Sequence, residues 1–333
     1  MRNSPVDLPY LPDDLLLNCL ARVSRLYYPI LSLVSKRFRS LVASPELYET
    51  RTLLGHTENC LYMSLRSESD TRWFTLCRRP IRVPNPNPNL NSRWFTSCFR
   101  PILTNLTSKE EKKFSQNLVV TVPTCNYSPQ FGLTSTTIGS NIYMIGGSRS
   151  SRIFFLDCRS HTLHEAPSMR VVRRFPLLNV LDGKIYVVED LTNSSNLMES
   201  FDPKTQIWEH VPSPSAEIRG SYILKSLVLD EKLYLFGDKI LVYKPKENRW
   251  DAIVYYTVSV NMPEGSYDYG GRIALLLEKK VRATGSNKKM IWCAEISLER
   301  RNAHEIYGKI EWCDVVLTIP KSCSLLHFHA VTV

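Results

Sequence analysis

The chain has 333 residues, 43% hydrophobic and 22% charged, and its 42 basic and 32 acidic side chains give a formal net charge of +10. That is an ordinary globular composition, with room for a small unit plus one large domain or two modest ones. A membrane-spanning helix is excluded, because Leu15–Val23 is broken by Asn18 and Arg22, and Ile273–Leu277 is too short. The first element in chain order is a helical unit from Leu8 to Tyr48. Pro12 followed by Asp13 and Asp14 marks a helix start, since proline suits the first turn and carboxylates suit the positive end of the helix dipole. Leu16, Cys19, Leu20 and Val23 then fall at helical spacing, and Leu15 and Leu17 widen the stripe. A second run, Tyr27, Ile30, Leu31, Val34, Phe38 and Leu41, keeps the same period, with Pro29 tolerated in its first turn. A unit of about forty residues usually needs a metal, disulfides or a partner to fold. No such staple is visible, so a partner surface is the expectation.

The blocks Leu11-Pro12-Asp13-Asp14-Leu15 and Leu31-Ser32-Leu33-Val34-Ser35-Lys36-Arg37-Phe38-Arg39-Ser40-Leu41 resemble the F-box over residues 8–50. Phe38 stands where that family often has tryptophan, and Cys19 where it often has isoleucine or leucine; both remain apolar. The resemblance implies docking on the Skp-family adaptor of a cullin-based ubiquitin ligase. The expected adaptor contacts are Leu11, Pro12, Leu15, Leu16, Leu20, Ile30, Leu31, Val34, Phe38 and Leu41, some of which must pack internally. The competing reading is a helical cap packed on the rest of the same chain.

Residues 59–130 open with two expected strands, Leu61–Leu65 and Trp73–Cys77. Arg93–Pro101 restates Arg72–Pro80 with seven of nine positions identical. Between them Pro84-Asn85-Pro86-Asn87-Pro88-Asn89 cannot join a sheet ladder and reads as an exposed loop.

From residue 133 the chain repeats itself. Asp157–Pro167 aligns without gaps on Asp202–Pro212, an offset of 45, and Phe201–Trp208 on Tyr243–Trp250, an offset of 42. Upstream of each lies a second matching block: Asn141–Gly147, Lys184–Val188 and Lys232–Gly237, each preceded by a tight turn at Gly139-Ser140, Asp182-Gly183 or Asp230-Glu231. Four strands per unit and a period in the low-to-mid forties are the signature of a β-propeller blade. Gly146-Gly147, the recurring tyrosine and the recurring Trp208 and Trp250 resemble the kelch repeat, most clearly over 133–252. A degenerate continuation runs through Met290–Ile296 and Ile310–Trp312, and Tyr267–Gly271 reads as a turn. The expected fold is thus a small all-α module at 8–50 followed by an all-β kelch-type propeller over 59–333, with about six blades at about 45 residues each.

No catalytic constellation emerges. Kelch-type propellers include copper oxidases, but copper needs convergent histidines and tyrosines. His327-Phe328-His329 offers two imidazoles on one face of a closing strand and no third ligand. Cys158 occupies the proline slot of a turn with no base beside it in sequence, and His161 and His164 replace polar turn residues. Gly146-Gly147 lacks the lysine and helix of a phosphate-binding loop. No catalytic residue, metal or cofactor is therefore expected.

The basic charge is spread along Arg66–Lys113 and interrupted by Glu68, Asp70, Glu110 and Glu111, which argues against a nucleic-acid surface. Nine scattered cysteines without a C-x-x-C pair, and no basic-apolar leader, point to reduced thiols in the cytosol or nucleus. F-box followed by kelch repeats resembles the plant F-box/kelch family. The resemblance implies a substrate receptor that joins an unidentified target protein to the adaptor and cullin scaffold. The alternatives are a kelch scaffold outside any ligase and, more remotely, a copper-dependent oxidase.

Overall fold

Residue choice at the helix boundaries shapes the start of the chain. The computed structural model describes residues 11–67, 71–78, 117–122, 133–146, 150–173, 176–189, 197–218, 222–253, 266–268, 272–280, 287–300 and 306–333. Pro12 precedes α1 (Asp13–Ala21), whose first turn carries Asp13 and Asp14. A 3-10 turn over Arg25–Tyr27 leads into α2 (Tyr28–Leu31), with Pro29 in its first turn. The single second run expected from the periodicity is broken here. The Ser35 side chain accepts the Phe38 N–H and starts a separate helix, α3 (Lys36–Val42). Sequence periodicity also missed α4 (Pro45–Leu53), although Ser44-Pro45-Glu46 carries its start signal: the Ser44 hydroxyl accepts the Leu47 N–H. Leu16, Leu20, Ala21, Tyr28, Val42, Leu47 and Tyr48 form the core of this unit.

The rest of the described chain is twenty strands in five four-stranded antiparallel sheets. The first blade contains β1 (Asn59–Arg66), β2 (Thr71–Arg78) and β3 (Asn117–Thr121). The second runs through β4 (Leu133–Ile138), β5 (Asn141–Gly146), β6 (Ile153–Asp157) and β7 (Thr162–Ala166). The third is β8 (Leu177–Leu181), β9 (Lys184–Val188), β10 (Met198–Asp202) and β11 (Ile207–Val211). The fourth is β12 (Ile223–Leu229), β13 (Lys232–Gly237), β14 (Ile240–Lys244) and β15 (Arg249–Ile253). The fifth is β16 (Ser266–Asp268), β17 (Arg272–Lys280), β18 (Lys288–Arg300) and β19 (Ile306–Pro320). Tyr267 and Asp268, expected in a turn, thus lie in a short strand. The length estimate of about six blades meets five sheets among the described residues. The repeated Arg93–Pro101 stretch and the Pro84–Asn89 loop lie outside those residues.

The repeat seen in sequence recurs as backbone geometry. The turns into β7, β11 and β15 each place their fifth residue in the left-handed region: His161 (φ 57°), Gln206 (φ 61°) and Asn248 (φ 47°). Trp208 packs on Phe201 with ring centroids 4.9 Å apart, and its indole N–H donates to the Pro167 carbonyl at 2.8 Å, just beyond the preceding blade's outer strand. Trp250 repeats this on Tyr243 at 5.0 Å, donating to the Pro212 carbonyl at 2.6 Å. The repeating tryptophan therefore ties the outer strands β11 and β15 each to the blade before it.

Closure comes from the far end of the sequence. β20 (Ser324–Thr332) pairs antiparallel with β1 and supplies the inner strand of the first blade, in the order β20-β1-β2-β3. Glu58 and Val333 exchange both backbone bonds just beyond, at 2.7 and 2.9 Å.

Within the third blade, Arg173 and Glu199 form an ion pair at 3.1 Å, both side chains almost wholly buried. Glu199 also accepts the Arg170 N–H, and Arg173 donates to the Leu197 carbonyl. Breaking a buried pair leaves an uncompensated charge, so Glu199→Ala is expected to cost about 3–5 kcal/mol in denaturant unfolding. Glu209→Ala, which breaks the exposed pair with Lys184, should cost about 1 kcal/mol or less.

Candidate functional site

The helical unit presents an apolar strip outward. Arg37 binds the Asp13 carboxylate and the Leu11 carbonyl, which holds the start of α3 against the start of α1. Around that ion pair stand exposed Leu11, Pro12 and Leu15 on one side and exposed Leu33 and Val34 on the other. Of the ten expected contact residues, Leu16 and Leu20 turn inward and are buried in the unit's own core. Leu31, Phe38 and Leu41 are half-buried and pack against that core, and Ile30 is half-buried as well. Leu33, 66% exposed, was not among the ten because it falls off the helical period. Its place in the non-helical link between α2 and α3 puts it on the outward strip.

The unit is fixed to the propeller by residues that sequence reasoning did not single out. The Arg25 guanidinium donates to the carbonyls of Cys158 at 2.5 Å and Arg159 at 3.2 Å, in the turn between β6 and β7. The Tyr48 hydroxyl donates to the same Arg159 carbonyl at 2.7 Å. Arg51, fully buried on α4, donates to the carbonyls of Ala21 and Val23 and to the Tyr28 hydroxyl, and so holds the exit of α1. Its other nitrogen binds the Glu58 carboxylate at 2.8 Å, which also accepts the Arg25 backbone N–H at 3.2 Å. Buried guanidinium groups need several acceptors at once, and carbonyls at helix and turn ends supply them. Nothing in the local sequence distinguishes Arg25 and Arg51 from the other basic residues.

The residues considered for chemistry sit in structural roles. Cys158 is buried, and burial pushes its thiol well above the ordinary range, so no thiolate forms. Tyr62 donates its hydroxyl proton to the Cys158 carbonyl at 3.0 Å, so the His161 Nε2, 2.9 Å from the Tyr62 hydroxyl oxygen, acts as donor to that hydroxyl. Burial lowers His161 to about 4. His327 and His329 share one face of β20, with ring centroids 6.4 Å apart, and both stack on Trp73. Burial lowers His327 to about 4; burial and then His327 lower His329 to about 3. His329 Nε2 is 2.7 Å from the Ser135 hydroxyl on β4, joining the inner strands of the first two blades. Among the described residues no group of three or more His, Cys, Asp or Glu side chains could hold a metal ion. No helix among them is long and apolar enough to cross a membrane.

An F-box domain model matches residues 8–50, and the FKB95 kelch-repeats domain model matches residues 94–267. The helices and the bladed sheets together define an F-box substrate-receptor type of protein. Full-length comparison narrows this further. Two Arabidopsis thaliana F-box/kelch-repeat proteins are 63% and 56% identical, with 100% of this chain aligned to 99% and 100% of theirs. A third from the same plant is 43% identical over 98% of this chain and 94% of its own length. The chain belongs to the F-box/kelch-repeat family.

The buried histidines set a pH dependence. Their folded pKa values lie below the ordinary 6.5, so the unfolded chain binds protons first as pH falls. Stability is complete above about pH 6.5 and is expected to fall through pH 5 and 4. His329 alone contributes a slope of about 1.4 kcal/mol per pH unit between its two values. Unfolding at pH 7 and pH 5 should show this, and His329→Asn should flatten the difference.

Proposed function

We propose that this chain is the substrate-recognition subunit of an SCF-type cullin ubiquitin ligase, with its helices on the Skp-family adaptor and its propeller on a target protein. The observation that carries this reading is the outward apolar strip of Leu11, Pro12, Leu15, Leu33 and Val34, displayed on a unit that Arg25 and Tyr48 anchor to the blades. An apolar strip that stays exposed among the described residues suits a partner helix surface. Leu16, Leu20, Leu31, Phe38 and Leu41 act in this reading by holding the strip in shape, and Ile30 lies at its margin.

The mechanism is proximity. The ligase transfers ubiquitin to target lysines whose effective concentration is raised by tethering, and this chain supplies no reacting group. The helices sit on the side of the propeller where the β6–β7 turn and the β20–β1 end lie. The target would then be taken by the other side, where loops such as β5–β6 and β7–β8 emerge. A cytosolic or nuclear setting fits this role.

Leu15→Asp or Val34→Asp should lower adaptor affinity at least tenfold in a titration of full-length protein while leaving the thermal midpoint unchanged. Leu53→Asp, at an exposed residue of α4 outside the strip, should bind as the parent does. Undiminished adaptor binding by both strip variants would sink the proposal.

A further inference from the structure

On the side turned away from the helices, positive charge is gathered at one place. β20 ends beside the Glu58–Val333 joint with the helical unit, so its start at Ser324, and the β19–β20 turn before it, lie on the opposite side. At this end of the fifth blade stand five lysines, Lys279, Lys280, Lys288, Lys289 and Lys321, and one carboxylate, Glu278. Together they account for +4 (five less one) of the formal charge of +10.

The strand register brings these positions together. Lys280 lies directly opposite Lys289 on the β17–β18 ladder, and Lys279 comes one rung earlier. Lys288 pairs with Pro320 on β19, and the next residue, Lys321, donates its backbone N–H to the Asn287 carbonyl at 2.9 Å. Neighbouring strands lie about 4.8 Å apart, so the lysines fall on adjoining strand ends. Glu278 is taken up in fastening those strands: one oxygen accepts the Lys289 ammonium at 3.2 Å and the other the Leu325 N–H at 2.7 Å. Lys289 also donates to the Cys323 carbonyl at 3.0 Å. Among the described residues no carboxylate pairs with Lys279, Lys288 or Lys321. Lys279 and Lys321 are exposed, and Lys288 is half-exposed.

Like charges on facing strand positions repel, so this grouping works against the blade that carries it. The corresponding stretches of the other blades, from the last two residues of the second strand to the first two of the third, are composed differently. Residues 65–72 balance two arginines with two carboxylates, 145–154 hold two arginines, 187–199 hold three carboxylates, and 236–241 hold one charge of each sign. In the fifth blade the same stretch, 279–289, holds four lysines and an arginine with no carboxylate. Repulsion concentrated at one end of one blade is what an anionic partner would offset.

On the reading of the chain as a substrate receptor, we propose that this patch recognises the target protein through an acidic segment, whose Asp and Glu side chains meet the ammonium groups of Lys279, Lys288 and Lys321. Lysine presents a point charge without the planar fork that matches a phosphate with two parallel bonds, which suits separately placed carboxylates. The Lys279 ammonium lies over the Trp292 ring, 5.8 Å from its centroid, and so occupies the aromatic face on which a nucleic-acid base would stack. No residue of the patch lies on the helices, so adaptor binding and target binding are separable.

The test titrates the full chain with a fluorescent peptide of alternating glutamate and serine, and with its glutamine counterpart. The glutamate peptide should bind and the glutamine peptide should not, and raising the salt from about 0.05 to about 0.3 M should weaken binding about tenfold. Lys279→Glu combined with Lys321→Glu should lower the affinity at least tenfold while the thermal midpoint holds or rises. Lys204→Glu combined with Lys246→Glu makes the same change in net charge on exposed turns of the helical side, and should bind as the parent does. Adaptor binding, measured on the same proteins, should be equal in parent and patch variant. No binding of the glutamate peptide, an equal loss in both charge-reversed pairs, or tighter binding of a single-stranded oligonucleotide of equal charge would overturn the assignment of the patch. A parent that binds the peptide but no adaptor would instead overturn the receptor reading, and with it the target as occupant.

Discussion

Glu58 is the point on which the architecture turns. Its backbone exchanges two hydrogen bonds with Val333, which fastens the last strand to the first. Its carboxylate receives the Arg51 guanidinium and the Arg25 N–H, which fastens the helices to the same spot. Two separate requirements, closing a ring of sheets and orienting a helical unit, thus meet in one residue. The Arg51 guanidinium is fully buried while the Glu58 carboxylate is 34% exposed, so the bond is charge-assisted and solvent competes for its acidic partner alone. The orientation of the outward strip relative to the blades is set by that bond and by the Arg25 and Tyr48 bonds to the β6–β7 turn.

Much of the fold was legible because repetition is a property of sequence itself. Three Ile/Leu-Tyr blocks at nearly constant offset require three similar strands, and β5, β9 and β13 occupy those blocks. The fifth blade lacks the glycine and proline markers of the others, yet β18 and β19 run through the Trp292 and Trp312 stretches picked out by pattern alone. The helical unit was legible as an element but not in detail. Periodicity joined α2 to α3 because Leu31, Val34 and Phe38 keep helical spacing, while the Ser35 cap between them overrides it. Which apolar residues face outward was not readable, since Leu15 and Leu16 are equivalent to any pattern that counts hydrophobicity. The structure exposes the first and buries the second.

The anchoring residues were invisible for a different reason. Arg25, Arg51 and Tyr48 act across sequence separations as large as 134 residues, on backbone carbonyls whose identity leaves no trace in the side-chain code. A basic residue that satisfies a buried carbonyl looks the same as one on a solvated surface. The histidines illustrate the converse. His327 and His329 alternate and so came nearest to a ligand pair, though without a third ligand, and the structure puts both on Trp73, where burial keeps them neutral. An alternating pair in a strand specifies a shared face and nothing about what lies on it.

Closure by β20 also imposes an order in time. Asn59 and Thr332, hydrogen-bonded at the seam, are 273 residues apart in the chain. At synthesis rates of about 5–20 residues per second, the open edge of β1 waits roughly 14 to 55 seconds for its partner strand to be made. Throughout that interval every buried core residue of the helical unit, the last of them Tyr48, has already been made. The nascent chain therefore passes through a stage in which the residues of its handle are all present and its ring is not. During that stage β1 is an unpaired sheet edge that a chaperone must shield or another strand will take.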